Sequence, residues 1–282
     1  MVQSQLSKQH LLCKDPVIAG VSMFKDEEDI VYQNLLWHYT QGIKRFVLLD
    51  NRSSDNTAGE IRRFANNYPD ASVYLIEDRE IGYYQSRKMT AVAEFANSMW
   101  GAEWIFPFDA DEFLCSYRAP LDSVLQTLGK EHICIRFPYQ QYILRSFYEN
   151  LEPNPIKRIT HRLKGNFHQG TKVMVRWQAG MTIAQGNHDL YLNDQLIPAS
   201  VNGEDIGLAL KHYPFRSKEH IRSKIINGGK AYKAASSLSA ETGISWKTWD
   251  NEYQHRGEEY IEESYQSLCN SPAEAIYDPL II

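Results

Sequence analysis

The sequence predicts an α/β fold: a mainly parallel central sheet flanked by helices, followed by a C-terminal helical extension. Three observations predict it. Short apolar runs of strand length alternate with longer amphipathic stretches through the first part of the chain. Those runs lack polar alternation, as suits strands buried on both faces. Acidic or polar clusters (Phe24-Lys25-Asp26-Glu27, Asp50-Asn51, Asp109-Ala110-Asp111-Glu112) fall where successive strands should end. In open parallel sheets, that edge is where ligands bind.

The elements follow in order. Val17-Ile18-Ala19-Gly20-Val21-Ser22-Met23 is the first strand. A helix is expected over 26–41, with Ile30, Val31, Leu35, Leu36, Trp37 and Tyr39 as its apolar face and Gly42 as its stop. Phe46-Val47-Leu48-Leu49-Asp50 is the second strand. The turn and cap formers Asn51-Arg52-Ser53-Ser54-Asp55-Asn56 lead from it into a helix over 57–67. A strand over 72–77, a long helix over 84–99 and a strand over 104–108 complete the alternation. Beyond it, 133–139 and 171–177 read as strands. The stretch 149–166, rich in Pro, Asn and charge, reads as a loop or lid, and 198–205 as a turn or hairpin. From 218 the pattern is helical. Its aromatics (Trp246, Trp249, Tyr253, Tyr260, Tyr265) suit either a contact surface or closure of the core, and leave the oligomeric state open.

Composition narrows the class. The 282 residues are 43% hydrophobic and 23% charged, ordinary for a globular protein. A net charge of −5 argues against a nucleic-acid binder, which is usually basic. The basic cluster Lys157, Arg158, Arg162 and Lys164 reads as solvated surface. Cys13, Cys115, Cys134 and Cys269 are scattered without CxxC spacing, so reduced thiols are expected rather than disulfides or a zinc site. No apolar run approaches a membrane span and the N-terminus lacks a signal-peptide core, so a cytoplasmic protein is expected.

Asp109-x-Asp111 is the strongest local motif. Alternate residues of an extended segment point the same way, so both carboxylates can address one centre. Carboxylates suit Mg²⁺ or Mn²⁺, which bridge to diphosphate oxygens. The plainer alternative is a turn at Asp109 with Asp111 or Glu112 capping the next helix. Asp50 sits where a carboxylate can accept from a base N–H or a ribose hydroxyl; alternatively, its segment is only a strand-to-helix turn capped by Asp55 or Asn56. Arg87, in Gln85-Ser86-Arg87-Lys88 at the start of the long helix, suits a phosphate or the acidic motif, or else a solvated basic face. Lys172, on an expected strand, faces phosphate or solvent. Gly186-Asn187-His188-Asp189 and His212-Tyr213-Pro214-Phe215-Arg216-Ser217 each carry a histidine, with Lys224 about two turns beyond Ser217. A lone histidine is more often a structural hydrogen-bonder than a ligand.

Together these residues resemble the family-2-type glycosyltransferases, and most of all the subgroup related to family-92 and "glycosyl transferase family 2-like" proteins. The segments that carry the resemblance are Val21-Ser22-Met23-Phe24-Lys25-Asp26-Glu27-Glu28-Asp29, Trp37-His38-Tyr39-x-x-Gly42-Ile43, and the stretches 46–57 and 104–113. They span most of 17–115. Gly186-Asn187-His188 and His212-Tyr213-x-x-x-Ser217 match the subgroup more weakly. The chain departs from the commonest pattern at Asp50-Asn51, where many relatives carry a second acidic residue.

The resemblance implies a GT-A fold, with a Rossmann-like mainly parallel central sheet, over 16–217. Its nucleotide-sugar half is 16–115 and its acceptor half 116–217; the C-terminal helical extension is 218–282, and 1–15 form a flexible N-terminus. It implies transfer of a sugar from a nucleoside-diphosphate sugar, with UDP expected, to a hydroxyl of a glycan or glycolipid acceptor. Surface polysaccharide or glycolipid assembly, with peripheral membrane contact through the acceptor, is the implied setting. The expected donor contacts are Ser22, Lys25, Glu27, Asp50, Arg87, Asp109, Ala110, Lys172, His212 and Lys224. Asp109, Asp111 and His188 are the expected ligands of Mn²⁺ or Mg²⁺. Such enzymes are mostly inverting, which requires one general base, and Asp189, Glu149 and Glu112 are the candidates. Two rival readings are a nucleotide-sugar-binding module without turnover and a nucleotidyltransferase. The acidic, glycine-free turn after Val21 counts against the second.

Overall fold

The computed structural model describes residues 15–146, 152–165, 167–239 and 241–281. The expected alternation is present. β1 (Ile18–Phe24), α1 (Val31–Thr40), β2 (Arg45–Asp50), α2 (Thr57–Asn67), β3 (Ser72–Glu77), α3 (Gln85–Trp100) and β4 (Trp104–Pro107) follow one another. Their strands pair in parallel in the order β3-β2-β1-β4. The register sets Phe24 beside Asp50 and Asp50 beside Glu77, so the carboxyl ends lie level. Side chains alternate between two cores: Phe46, Leu48 and Phe106 pack on one face with α1 and α2, while Val47, Leu49 and Ile105 pack on the other with α3. Gly101, at φ +62, supplies the left-handed residue that ends α3.

The first helix starts at Val31, later than expected, because Asp26 adopts a positive φ of 54 that a helix cannot hold. Residues 26–29 form a turn held by Ser53, Asp55 and Thr57, whose side chains accept from the backbone N–H groups of Asp26, Glu28 and Glu27 respectively.

The second half turns the sheet from parallel to mixed. β5 (Glu112–Ser116), α4 (Leu121–Gln126), β6 (Cys134–Gln141), α5 (Pro155–Arg158), β7 (His161–Leu163) and β8 (Phe167–Arg176) come next. β9 (Met181–Ile183), β10 (Leu190–Leu192), β11 (Gln195–Ile197), β12 (Val201–Asn202) and β13 (Leu208–His212) follow. β8 runs antiparallel to both β4 and β6, and β5 antiparallel to β13, giving the order β3-β2-β1-β4-β8-β6-β13-β5 with β12 beside β6. β9 to β11 form a separate small sheet beside α3.

Three helices close the chain: α6 (Lys218–Ala234), α7 (Ile244–Arg256) and α8 (Glu258–Cys269). They share the main core, where Ile221, Ile225 and Ile261 are buried with Phe24 and Val31. Two expectations need correction. The stretch 149–166 is not only a loop, since its described part holds α5 and β7. The C-terminal segment is not wholly helical, since β14 (Ala275–Tyr277) pairs antiparallel with β7. Three-residue strands are too short to show a period, and their partner lies far along the chain. The turn or hairpin expected at 198–205 contains β12 and a 3-10 turn at Gly203–Ile206. Cys115, Cys134 and Cys269 are free and buried. Among the described residues, no helix is long and apolar enough to cross a membrane.

Candidate active site

A cavity of about 420 Å³ opens at the carboxyl ends of β1 and β4, and residues after β13 close its other side. Its floor is the motif at the end of β4. Asp111 and Glu112 are buried, at 4% and 0% exposure, while Asp109 is half-buried. Antiparallel pairing of β5 with β13 sets Glu112 opposite His212. One ligand atom from each of Asp111, Glu112 and His212 can therefore lie within 4.8 Å of the others. Gln141 Oε1 engages His212 Nδ1 at 3.0 Å, and His212 Nε2 stands 3.7 Å from Asp111 Oδ1.

Two lysines answer these carboxylates. Lys172, from β8, donates to Asp109 Oδ2 at 2.6 Å and lies 3.2 Å from Glu112 Oε1. Lys224, from α6, donates to Asp111 Oδ2 at 2.7 Å and to the Pro214 carbonyl at 3.0 Å. Glu112 also accepts from the Tyr139 hydroxyl and the Asp109 N–H, both at 3.0 Å. Burial pushes Glu112 up to about 8, against the pull of Lys172. Burial opposes ionisation of Asp111 too, but Lys224, His212 and Arg216 outweigh it and hold its carboxyl well below the usual range. Burial opposes the charge on Lys172, and Asp109 and then Glu112 outweigh it, so its pKa stays well above the ordinary value. Burial brings His212 down to about 4, so its imidazole is neutral at pH 7. Asp111 as a carboxylate, Glu112 once it gives up the proton that burial favours, and a neutral imidazole nitrogen are a donor set suited to Mn²⁺ or Mg²⁺.

The expected residues divide by position. Lys25, Glu27, Asp109, Ala110, Asp111, Glu112, Lys172, His188, His212 and Lys224 all line the cavity. His188 reaches it with Nδ1 against the Thr171 carbonyl at 2.8 Å, and the group of three possible ligands contains His212 rather than His188 or Asp109. Ser22 is fully buried and donates to the Phe108 carbonyl, tying β1 to β4. Arg87 is exposed and pairs with Glu80. Asp189 pairs with Arg136 at 2.8 Å outside the cavity lining. Asp50 sits at the end of β2 but faces a separate groove with Arg52, Arg62 and Glu77; its neighbour Asn51 lines the cavity instead. Glu149 lies outside the described residues.

Several contributors were not singled out from sequence. Arg216 is enclosed, and its guanidinium bridges Glu27 and Asp29, with two bonds of 2.8 Å to the latter. Burial raises Glu27 to about 7 despite Arg216. Arg136 donates to the Thr171 hydroxyl (2.7 Å) and the His188 carbonyl (3.2 Å), fixing the backbone that presents His188. Trp246 and Trp249, which the sequence offered only as a contact surface or closure of the core, line the far wall. For these residues the available sequence signal is residue type alone, because their partners lie on distant segments.

No protein-family model matches the chain, and no curated protein matches its sequence. Solved structures do match. One is the mannosyltransferase PcManGT from Pyrobaculum calidifontis in complex with GDP-Man and Mn²⁺: 15% identity, 91% of this chain, 74% of that one, TM-score 0.40. Another is GalNAc-T7 with UDP, GalNAc and Mn²⁺: 10% identity, 92% of this chain, TM-score 0.41, with this chain spanning 58% of that protein. A third is HddC from Yersinia pseudotuberculosis: 11% identity, 56% of this chain, 76% of that one, TM-score 0.33. At these scores the functional argument rests on the site itself.

Proposed function

We propose that the chain is a metal-dependent glycosyltransferase of GT-A type. It moves a sugar from a nucleoside-diphosphate sugar, UDP-linked, to an acceptor hydroxyl on a glycan or glycolipid, with inversion and in the cytoplasm. The observation that carries this reading is the cluster of Asp111, Glu112 and His212 at the mouth of the parallel strands, flanked by Lys172 and Lys224. Asp111, Glu112 and His212 would hold Mn²⁺ or Mg²⁺. Such an ion, when bound, stabilises negative charge as it develops on a departing diphosphate.

The chain's own residues do the rest. Lys172 and Lys224 place two ammonium groups beside the carboxylates, so an entering diphosphate meets cations already oriented. Neutral His212 offers a lone pair without displacing a proton. Asp26, Asn51 and Lys25 lie at the strand ends, where the nucleoside would sit. Of the two base candidates among the described residues, Glu112 lines the cavity and Asp189 does not. The two Glu112 oxygens already accept three hydrogen bonds or ion contacts, which suits a ligand or anchor better than a base.

The test is a thermal-shift screen of nucleoside diphosphates and nucleotide-sugars, with and without Mn²⁺, on the parent and Asp111→Asn. A ligand at a hundred times its Kd adds about 2.7 kcal/mol, or a rise of several degrees. UDP with Mn²⁺ is expected to give that rise in the parent, and Asp111→Asn to lose the metal-dependent part while remaining folded. If no nucleotide raises the melting temperature in a metal-dependent way, the proposal fails.

A further inference from the structure

The cavity has a second wall opposite the strand ends, tied to them where Asn227 donates to Asp26 Oδ2 at 2.6 Å. Facing it, α6 presents Ser223, Asn227 and Ala231, spaced by four and so on one helical face. From α7, Trp246 and Trp249 complete this wall, half-buried, with ring centroids 5.0 Å apart and planes crossing at 76°. Gly228 admits Trp246, since a Cβ there would lie 2.4 Å from the indole Cε3. Phe215 joins the wall to the floor: the Lys224 ammonium that holds Asp111 stands 5.9 Å from the Phe215 ring centroid.

We propose that Trp246 and Trp249 form a stacking subsite for a pyranose ring of a carbohydrate acceptor, so that the α6–α7 pair selects the acceptor. This rests on the glycosyl-transfer reading above. An indole face is apolar and carries the negative part of the ring quadrupole, which complements the weakly positive C–H face of a pyranose. The hydroxyls at the sugar's rim need hydrogen-bond partners when desolvated. Ser223 and Asn227 stand on the same wall; the Asn227 amide N–H groups donate to Asp26 Oδ2 at 2.6 Å and to Ser223 Oγ at 3.2 Å, so the wall offers the Asn227 amide oxygen and the Ser223 O–H to those hydroxyls. A lipid chain fits the wall poorly, because it would strip water from Lys224 and Asp111 and return no hydrogen bond. The cavity volume is that of a small-ligand site.

The experiment uses the full chain and its Trp246→Ala/Trp249→Ala variant, each labelled, loaded with UDP and Mn²⁺ and applied to a broad printed glycan array. Captured glycans are then titrated in solution, and vesicles of phosphatidylcholine and phosphatidylglycerol are run in parallel. The parent is expected to capture glycans sharing a terminal pyranose, and the double variant to bind them at least about tenfold more weakly. Trp246→Phe/Trp249→Phe should retain most of the binding. If the alanine pair melts early, Trp249→Ala alone provides the comparison, since its ring is not the one seated on Gly228. Failure of the parent to bind any glycan, equal binding by the alanine variant, or capture by vesicles alone overturns the subsite. The melting-temperature rise with UDP and Mn²⁺, measured on the same samples, is expected to be equal in all variants. Its absence from the parent would sink the glycosyl-transfer reading instead.

Discussion

Replacing Arg216 with methionine is expected to destabilise the protein by about 3 kcal/mol near neutral pH. Breaking a buried ion pair by removing one partner costs roughly 3–5 kcal/mol, because the remaining charge is left without compensation. Arg216 is fully enclosed and serves two carboxylates, but Asp29 is 38% exposed and can rehydrate, which favours the low end. Glu27 is 17% exposed and cannot rehydrate as fully. At about 2–4 °C per kcal/mol, the melting temperature should fall by roughly 6–12 °C.

The loss should also depend on pH. Burial already raises folded Glu27 to about 7 against an ordinary 4.5, so its contribution is complete below 4.5 and fades as pH rises through 7. Without Arg216, the chief influence lowering that pKa is gone, so the fade extends to higher pH. The penalty should therefore be smaller at pH 6, where Glu27 takes up a proton, than at pH 9. Urea unfolding of the parent, Arg216→Met and Arg216→Met/Glu27→Gln at pH 6, 7.5 and 9 measures this. The double variant should recover part of the loss and flatten the pH dependence. An Arg216→Met protein that melts within about 2 °C of the parent throughout would refute the reasoning, as would a double variant with unchanged slope.

Two further outcomes follow from neighbouring groups. His38 is buried among Phe106, Phe108 and Phe113, its Nε2 accepts from the Leu114 N–H, and burial lowers its pKa to about 3. A histidine held neutral in the fold contributes stability above its unfolded pKa of 6.5 that drains away toward 3, so His38→Phe should be less stable at pH 7.5 yet lose less on acidification to pH 4.5; equal slopes in urea titrations would contradict this. Arg136→Met should release the backbone carrying His188 and weaken the UDP–Mn²⁺ thermal increment several-fold in apparent affinity while melting within a few degrees of the parent; an unchanged increment would show that His188 needs no such clamp.

The first half of the chain was readable because its strands are buried on both sides and its helices are long. Apolar runs such as 46–50 and the caps around Asn56 carry their own signal. The floor of the site was readable in place but not in detail. Asp111 and Glu112 are local, whereas His212 joins them only through the register of β5 against β13, which no local pattern encodes. Arg216 reaches Glu27 and Asp29 across most of the chain, and nothing in its own neighbourhood predicts that bond. Asp50 shows the other side of this: a strand end locates a residue, but the pleat decides which groove it lines, and Asn51 lines the central cavity while Asp50 lines the neighbouring one.

Gly228 and Gly229 stand side by side within α6, where each weakens the isolated helix by about 1 kcal/mol relative to alanine. What offsets this is α7, whose Trp246 and Asp250 occupy the space two Cβ atoms would fill, while Lys233 reaches back to Asp250. The far end of α6 and the seat of α7 therefore form one cooperative unit. Amide hydrogens from 228 onward should exchange together with those of α7, and more slowly once a ring is stacked on the tryptophans. Lys224 lies one turn before the glycines, outside that unit, and makes its bond to Asp111 from the preceding part of α6. The wall that meets a ring can therefore loosen or tighten while the carboxylate floor keeps its lysine.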